Sequence, residues 1–336
     1  MQSKIDLVIM WVDGADEHFV KVHDDAAAKL EAEGIQISRA SGQHRDSGEL
    51  FFLLRSICQN MPWFRKIHIV TNGQIPKYVN FDDDRINLVT HMDIFPNPED
   101  APSFNTFAIE SAANRIEGLS ENYIRFSDDF FVARPVDKSF FFGRHGNGSY
   151  HFHEEIFSMF DKYKRTLQFN AVEFWKMTGF MPMYNYPHAP QLRNKSLMRE
   201  MYLKWGDWLQ STRANKFRSD KDLVSLFLYP YFALYKAYGL EMIHHVRRIR
   251  KADSEVPVYR QILVGDSVID WRKDVEALVE NPPIMFNIND HFPNEGDPDG
   301  MRYLGQNLAR LFPEPSLFEK SDGPLPELAQ AAFPGK

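Results

Sequence analysis

The sequence predicts an α/β fold, a mixed sheet flanked by helices, on three observations. Short apolar runs alternate with segments of helical periodicity from residue 5 to residue 126. The first of these runs, within Ile5 to Val12, does not alternate between apolar and polar residues, as suits a strand covered on both faces. Two of them, Ile5 to Val12 and Tyr123 to Phe126, give way at once to carboxylates, Asp13-Gly14 and Ser127-Asp128-Asp129.

Taken in order, Ile5 to Val12 reads as a buried strand stopped at the Asp13-Gly14 turn. Glu17 to Glu33 is helical in composition, with Gly34 placed as a C′ residue. A polar loop over 38–44 leads to Gly48–Asn60, where Leu50, Leu53, Leu54 and Ile57 recur at the spacing of an amphipathic helix. Ile67–Thr71 and Ile86–Val89 read as strands separated by Asn72-Gly73 and Pro76. A further helix, Thr106–Ile116, follows an Asn105 cap, and the strand Tyr123–Phe126 comes next. In open α/β sheets ligands sit outside the carboxyl ends of the strands, so Asp13, Asn72 and the Asp128/Asp129 pair are expected to converge on one crevice.

Beyond Pro135 the periodicity weakens and aromatic residues, Gly and His accumulate, which suggests an elaboration over the sheet. Asn194–Trp208 and Asp220–Tyr238 read as helices, the second interrupted by Pro230. The Pro-rich stretch from Pro313 onward is expected to be an extended surface tail.

Composition narrows the classes of function. A formal charge of -7, from 39 basic and 46 acidic residues, gives no basic field for nucleic acid. The single cysteine, Cys58, excludes an intrachain disulfide and a cysteine-rich metal site. The apolar runs are too short for a signal-peptide core or a membrane span, from which we expect a cytoplasmic location, with peripheral association at the inner face of the cell membrane left open. Phosphate-binding loops of the Gly-x-x-x-x-Gly-Lys and Gly-x-Gly-x-x-Gly types are absent, as is a Gly-x-Ser-x-Gly elbow. The histidines His91, His145, His151, His153, His244 and His245 are scattered without a zinc-binding spacing, and Arg247-Arg248-Ile249-Arg250-Lys251 forms a basic run able to steer an anionic polymer.

Four ordered segments carry a more specific signal: Ile5 through Trp11-Val12-Asp13-Gly14; Arg45-Asp46-Ser47-Gly48-Glu49-Leu50 through Arg55, Pro62-Trp63 and Asn72-Gly73-Gln74; Phe104-Asn105 through Asp128-Asp129-Phe130-Phe131; and Phe286-Asn287-Ile288-Asn289-Asp290. His188-Ala189-Pro190 and Arg218 lie between the last two. Together they resemble the Stealth family, which includes capsular polysaccharide phosphotransferases and the catalytic subunit of the animal N-acetylglucosamine-1-phosphotransferase. The resemblance implies a GT-A or Rossmann-like core in one catalytic unit over 1–312, with a core at 1–135, an elaboration at 136–187 and a helical and closing region at 188–312, ahead of the 313–336 tail. It implies transfer of a hexose-1-phosphate, expected to be an N-acetylhexosamine-1-phosphate, from a UDP-linked nucleotide sugar to a hydroxyl of an oligo- or polysaccharide, in the company of membrane-associated capsule assembly machinery.

Such chemistry needs a base, a cation and rigid donors around a diphosphate. His188 is the first candidate for the base, and Asp128 or Asp129 the second. The same two aspartates, with Asp290, are candidates to hold Mg²⁺ or Mn²⁺, although neighbours in a regular strand point to opposite faces and reach one ion only if the strand has broken. Arg218, Arg45 and Arg55 are candidate phosphate grips, Arg55 alternatively snorkelling from its apolar helix to the surface. Asp46 and Glu49 have the spacing of a capping box and are otherwise candidates to shape the substrate site. Asn72, Asn105, Asn287 and Asn289 are candidates to orient substrate, with Trp11, Asp13 and Gly14 lining the first strand end and Trp11 placed either to stack on it or to fill the core. Two rival readings remain at this level, a metal-dependent GT-A-like glycosyltransferase and a glycan-binding surface-assembly factor without turnover.

Overall fold

The computed structural model describes residues 4–35, 37, 45–142, 148–153, 164–238, 246–249, 257–292 and 297–333. In chain order the elements are β1 (Ile5–Met10), α1 (Glu17–Ala32), α2 (Glu49–Asn60), β2 (Ile67–Thr71), β3 (Ile86–Thr90), α3 (His91–Ile94), α4 (Thr106–Ala112), β4 (Asn122–Ser127), β5 (Phe130–Val132), α5 (Lys138–Phe141) and β6 (Tyr150–His153). They continue with α6 (Arg165–Thr178), β7 (Gln191–Asn194), α7 (Lys195–Lys204), α8 (Gly206–Ala214), α9 (Ser225–Tyr238), β8 (Val246–Ile249), β9 (Tyr259–Val264), α10 (Trp271–Glu280), β10 (Met285–Asp290), α11 (Pro298–Leu311) and α12 (Glu327–Ala332).

The main sheet has the order β3-β2-β1-β4-β7. β1 is parallel to both β2 and β4, β2 is parallel to β3, and only β7 runs antiparallel, against β4. This is the 3-2-1-4 arrangement of a Rossmann-like half sheet, so the mixed α/β class read from the sequence holds. Every residue of β1 is buried because helices cover both faces, which is why its sequence is apolar without alternation apart from Asp6. A second sheet, β5-β10-β9, lies beside the first, with β10 antiparallel to β5 and parallel to β9. β6 and β8 form a separate parallel pair.

The chain passes from the first sheet to the second through Asp128 and Asp129, the two-residue turn between β4 and β5. Strand alternation is therefore broken at that point, as both carboxylates need if they are to face one cleft.

Several boundaries shift for physical reasons. The helix expected over Thr106–Ile116 is α4 followed by a 3-10 turn, Ala113–Arg115, and the Asn105 side chain caps it by accepting from Phe107 N. Asn194–Trp208 divides: Asn194 ends β7 and caps α7, and the helix breaks at Trp205 before α8. Pro230 sits inside α9, and the carbonyl its missing N–H would have bonded, that of Leu226, accepts instead from Gln191 Nε2 at 2.9 Å.

The expected C-terminal tail is a correction. Phe318, Leu328 and Ala329 are fully buried in the main core, and α12 packs on α11. Prolines space these apolar anchors without detaching the segment. Among the described residues no helix is long and apolar enough to cross a membrane. His145, His244, His245, Arg250, Lys251 and the 38–44 loop lie outside the described residues.

Candidate active site

The carboxyl ends of β1 and β4, the turn ahead of α2 and the end of β10 bring acidic side chains together. The turn ahead of α2 is not the capping box its spacing suggests. Gly48, at φ +115°, is the N-cap residue and makes no side-chain cap. Asp46 Oδ1 accepts from Gly48 N at 3.0 Å, and Glu49 Oε2 accepts from Ser47 N at 2.8 Å. Tyr78 donates its hydroxyl to Asp46 Oδ2 at 3.2 Å. The turn thus leaves both carboxylates facing the protein rather than solvating the helix end.

Their environment is electrostatically unfavourable. Burial, reinforced by the charge of Asp13, pushes Asp46 up to about 6, against help from Gly48 N–H, Trp11 and Tyr78. Burial and the neighbouring charges of Asp46 and Asp290 push Glu49 up to about 8. Asp128 is raised well above the usual carboxylate range by burial and by Asp129, Asp46 and Glu49. Asp46 and Asp128 are partly exposed, so these groups are not sealed within the core.

Asp129, the neighbour of Asp128 in the same turn, reaches His188 and Asn287. Its Oδ2 lies 3.6 Å from His188 Nε2, an ion-pair separation longer than a hydrogen bond, and accepts from Asn287 Nδ2 at 3.4 Å. Asn287 is fully buried and is held by the Tyr259 hydroxyl. His188 stands edge-on to Phe130, centroids 4.6 Å apart, with its side chain 42% exposed. An imidazole fixed on one side by a carboxylate and an aromatic ring, and open on the other, is suited to receive a proton from an incoming hydroxyl.

Arg45 is the cation within this acidic wall. Its Nε pairs with Asp290 Oδ2 at 2.9 Å, and its Nη2 donates to the Phe292 carbonyl at 2.9 Å. Burial raises Asp290 all the same, with Phe292 N–H and Arg45 opposing. Because Asp290 already serves Arg45, its expected role beside Asp128 and Asp129 as a metal ligand would require that pair to open. Among the described residues no three His, Cys, Asp or Glu side chains form a ready ion cage. The donor set still suits a hard cation in its chemistry, since its ligands are oxygens and their mutual repulsion is what a divalent ion relieves.

The remaining candidates are placed as follows. Asp13 Oδ1 accepts from Ala15 N, and the Asp13 backbone exchanges hydrogen bonds with the Gln74 side chain, tying the β1 and β2 loops together around Gly14. Asn72 accepts from Gln74 N in the same loop. Trp11 is 6% exposed and belongs to the core, so of its two expected roles the structure favours packing over stacking. Asn289 lies near the end of β10, two residues beyond Asn287 and on the same face.

Arg55 and Asn105 lie apart from the acidic wall. Arg55 neither snorkels nor grips: with its side chain 1% exposed, it forms a bidentate pair with Glu319 at 2.7 and 2.9 Å and donates to the Phe312 and Pro313 carbonyls. Asn105 Nδ2 donates to Asp222 Oδ2 at 2.7 Å, and Asp222 in turn accepts from Ser219 N, which fixes the loop that carries Arg218. Arg218 donates to Thr106 Oγ1 at 2.8 Å and lies over the Phe107 ring. Crowding by protein lowers its proton affinity, opposed by Glu110 and reinforced by Arg125.

Arg125 was missing from the expected set, and its charge is felt at Arg218. It is buried, paired with Glu110 at 2.5 Å, and its guanidinium lies 5.2 Å over the Phe130 ring against which His188 rests. A charged residue in the middle of the apolar run Tyr123–Phe126 was the available signal, because a buried arginine demands a partner. Tyr78 and Tyr259 carried no comparable local sign.

Two family models match the chain. The model of Stealth protein conserved region 2 matches residues 43–150, and that of conserved region 3 matches residues 187–235. The first contains Asp46, Glu49, Asp128 and Asp129; the second contains His188 and Arg218. An exopolysaccharide phosphotransferase of Streptomyces coelicolor is 28% identical over 326 residues, covering 95% of this chain and 53% of that protein. One of Nocardia farcinica is 29% identical, covering 98% of this chain and 64% of that protein. A capsular polysaccharide phosphotransferase of Actinobacillus pleuropneumoniae is 28% identical, covering 78% and 73%. The chain thus spans between half and two-thirds of the length of the first two. Among solved structures, the galactosyltransferase LgtC in complex with donor and acceptor sugar analogs covers 84% of this chain and 86% of its own at 12% identity and a TM-score of 0.39.

Proposed function

We propose that this chain, placed in the Stealth family by its matches to conserved regions 2 and 3, transfers a hexose-1-phosphate from a nucleotide sugar to a hydroxyl of a surface polysaccharide. The observation that carries the reading is the acidic wall of Asp46, Glu49 and Asp128, set beside an accessible His188 that Asp129 and Phe130 hold in place. A cluster of carboxylates raised by one another is a poor way to stabilise a fold, but it suits a site that receives positive charge when loaded.

In this reading His188 takes the proton of the acceptor hydroxyl. The hydroxyl oxygen forms its bond to the sugar-linked phosphorus while the bond from that phosphorus to the bridging oxygen breaks, and a nucleoside monophosphate leaves with the electron pair. Asp129 and Asn287 keep the imidazole oriented, and Arg218 holds phosphate through its guanidinium. Asp128 and Asp129 would hold Mg²⁺ or Mn²⁺, which supplies charge neutralisation on the diphosphate when bound. A UDP-linked N-acetylhexosamine is the expected donor, and the capsule assembly machinery at the inner membrane face the expected setting.

The test is product analysis with a panel of nucleotide sugars and oligosaccharide primers. Release of a nucleoside monophosphate with a phosphodiester resonance in the product is the expected result. Release of a nucleoside diphosphate with a phosphorus-free product would make the chain a glycosyltransferase instead, and no release with any donor would leave only glycan binding.

A further inference from the structure

The C-terminal segment that the sequence presents as a tail touches the candidate site at two separate places. At its near end, Glu319 bridges to Val79 in antiparallel fashion, Asn80 N donates to the Phe318 carbonyl at 2.8 Å, and Lys320 N donates to the Tyr78 carbonyl at 2.9 Å. Tyr78 is the residue whose hydroxyl reaches Asp46. At its far end, Leu328 N donates to the Ser47 carbonyl at 2.9 Å, and Pro326 packs so closely on Gly48 that a Cβ there would meet it at 2.8 Å. Ser47 and Gly48 are the residues whose amides hold Glu49 and Asp46.

The segment is itself anchored. The Arg55 guanidinium, bidentate on Glu319, lies 4.6 Å from the Phe51 ring on α2 and 4.6 Å from the Phe333 ring beyond α12. Leu328 rests against Gly305 of α11, where any side chain would strike the Leu328 carbonyl. Two carboxyl groups share this short turn, which holds them by single backbone amides, so the contacts from Pro326 and Leu328 restrain it from outside.

We propose that residues 316–329 form a positioning strap, which fixes the Asp46–Glu49 turn and Tyr78 against the sheet and so sets the spacing of the acidic wall. The strap contributes no group to the reacting atoms. Its role in turnover rests on the phosphotransferase reading, whereas its effect on the turn does not.

Amide hydrogen exchange separates the two. In Glu319→Gln, exchange should rise about tenfold or more over both 45–50 and 76–80 while β4 keeps its protection. Pro326→Ala, a milder change that leaves the Arg55 pair intact, should raise exchange over 45–50 only, and it remains informative if Glu319→Gln fails to fold. In the product assay Pro326→Ala should lower kcat about tenfold with the unfolding midpoint unmoved, because displaced wall carboxylates misalign the site without loosening the core. Exchange over 45–50 that stays at the wild-type level in Pro326→Ala, or a rise in Glu319→Gln confined to 313–333, would overturn the strap. A rise over 45–50 with no detectable phosphotransfer by the wild type would leave the strap standing and remove the proposed reaction.

Discussion

The two ends of β1 treat carboxylates in opposite ways. At the amino end Asp6 is wholly buried, yet Arg65 grips both its oxygens, Ser120 N donates to it at 2.7 Å and His68 lies 3.3 Å away. Despite the cost of burial, these partners hold it well below the usual range. At the carboxyl end Asp46, Glu49 and Asp128 share mainly one another's charge and are raised. The sheet is thus locked by a satisfied ion pair at one end and holds unrelieved charge at the other. Such a division separates the part that stabilises from the part that is free to bind.

The contrast is most directly broken by substitutions at each end. His188→Ala should cost about 10²–10⁴ in turnover, the usual worth of a general base, with the fold intact by circular dichroism; retention of wild-type turnover would remove His188 from the chemistry. Asp6→Ala should do the reverse. It leaves Arg65 and His68 facing an empty partner and should cost about 3–5 kcal/mol in chemical denaturation, with turnover per folded molecule unchanged. Arg218→Lys should lower kcat/KM about tenfold, because an ammonium cannot reproduce the planar fork on phosphate; an unchanged value would leave Arg218 as a loop anchor.

The acid–base balance sharpens the comparison further. Asp46 and Glu49 have ordinary values of 3.8 and 4.5 and folded values of about 6 and about 8. Between about pH 4 and 8 the folded chain therefore binds more protons than the unfolded one, and stability from this end falls as pH rises through that window. Asp6 behaves oppositely: its contribution is in place above its ordinary value of 3.8 and is lost as pH falls below it. The unfolding midpoint should consequently peak near pH 4 and decline by about 2–4 °C toward pH 8, with added Mn²⁺ restoring more of it at pH 8 than at pH 5. A midpoint that rises steadily to pH 8 without added metal would contradict the raised carboxylates.

Much of this organisation was legible in the residues. The strands of the main sheet follow from apolar runs, and Asp128-Asp129 and His188 stood out because motifs concentrate chemistry locally. What escaped was long-range. Arg55 in an apolar helix read as a grip or a snorkel, but its partner Glu319 is 264 residues away. Residues 313–336 read as a tail because prolines recur through them, whereas Phe318 and Leu328 among those prolines decide the packing. Strands β5, β9 and β10 were not delimited, since β5 is three residues long and β9 alternates buried and exposed positions as a sheet-edge strand does. Arg125 was readable in principle, as a charge inside a buried strand, but its partner Glu110 lies on a neighbouring helix that sequence does not orient.

The claim that the carboxyl-end charges are kept for function at the expense of the fold is tested most directly in one sample of Asp128→Asn, with unfolding midpoint and phosphotransfer measured side by side in metal-free buffer and after adding Mn²⁺, respectively. Removing one of the mutually repelling charges should raise the metal-free midpoint by about 2–4 °C while turnover falls at least a hundredfold. A lowered midpoint, or turnover near that of the wild type, would contradict it.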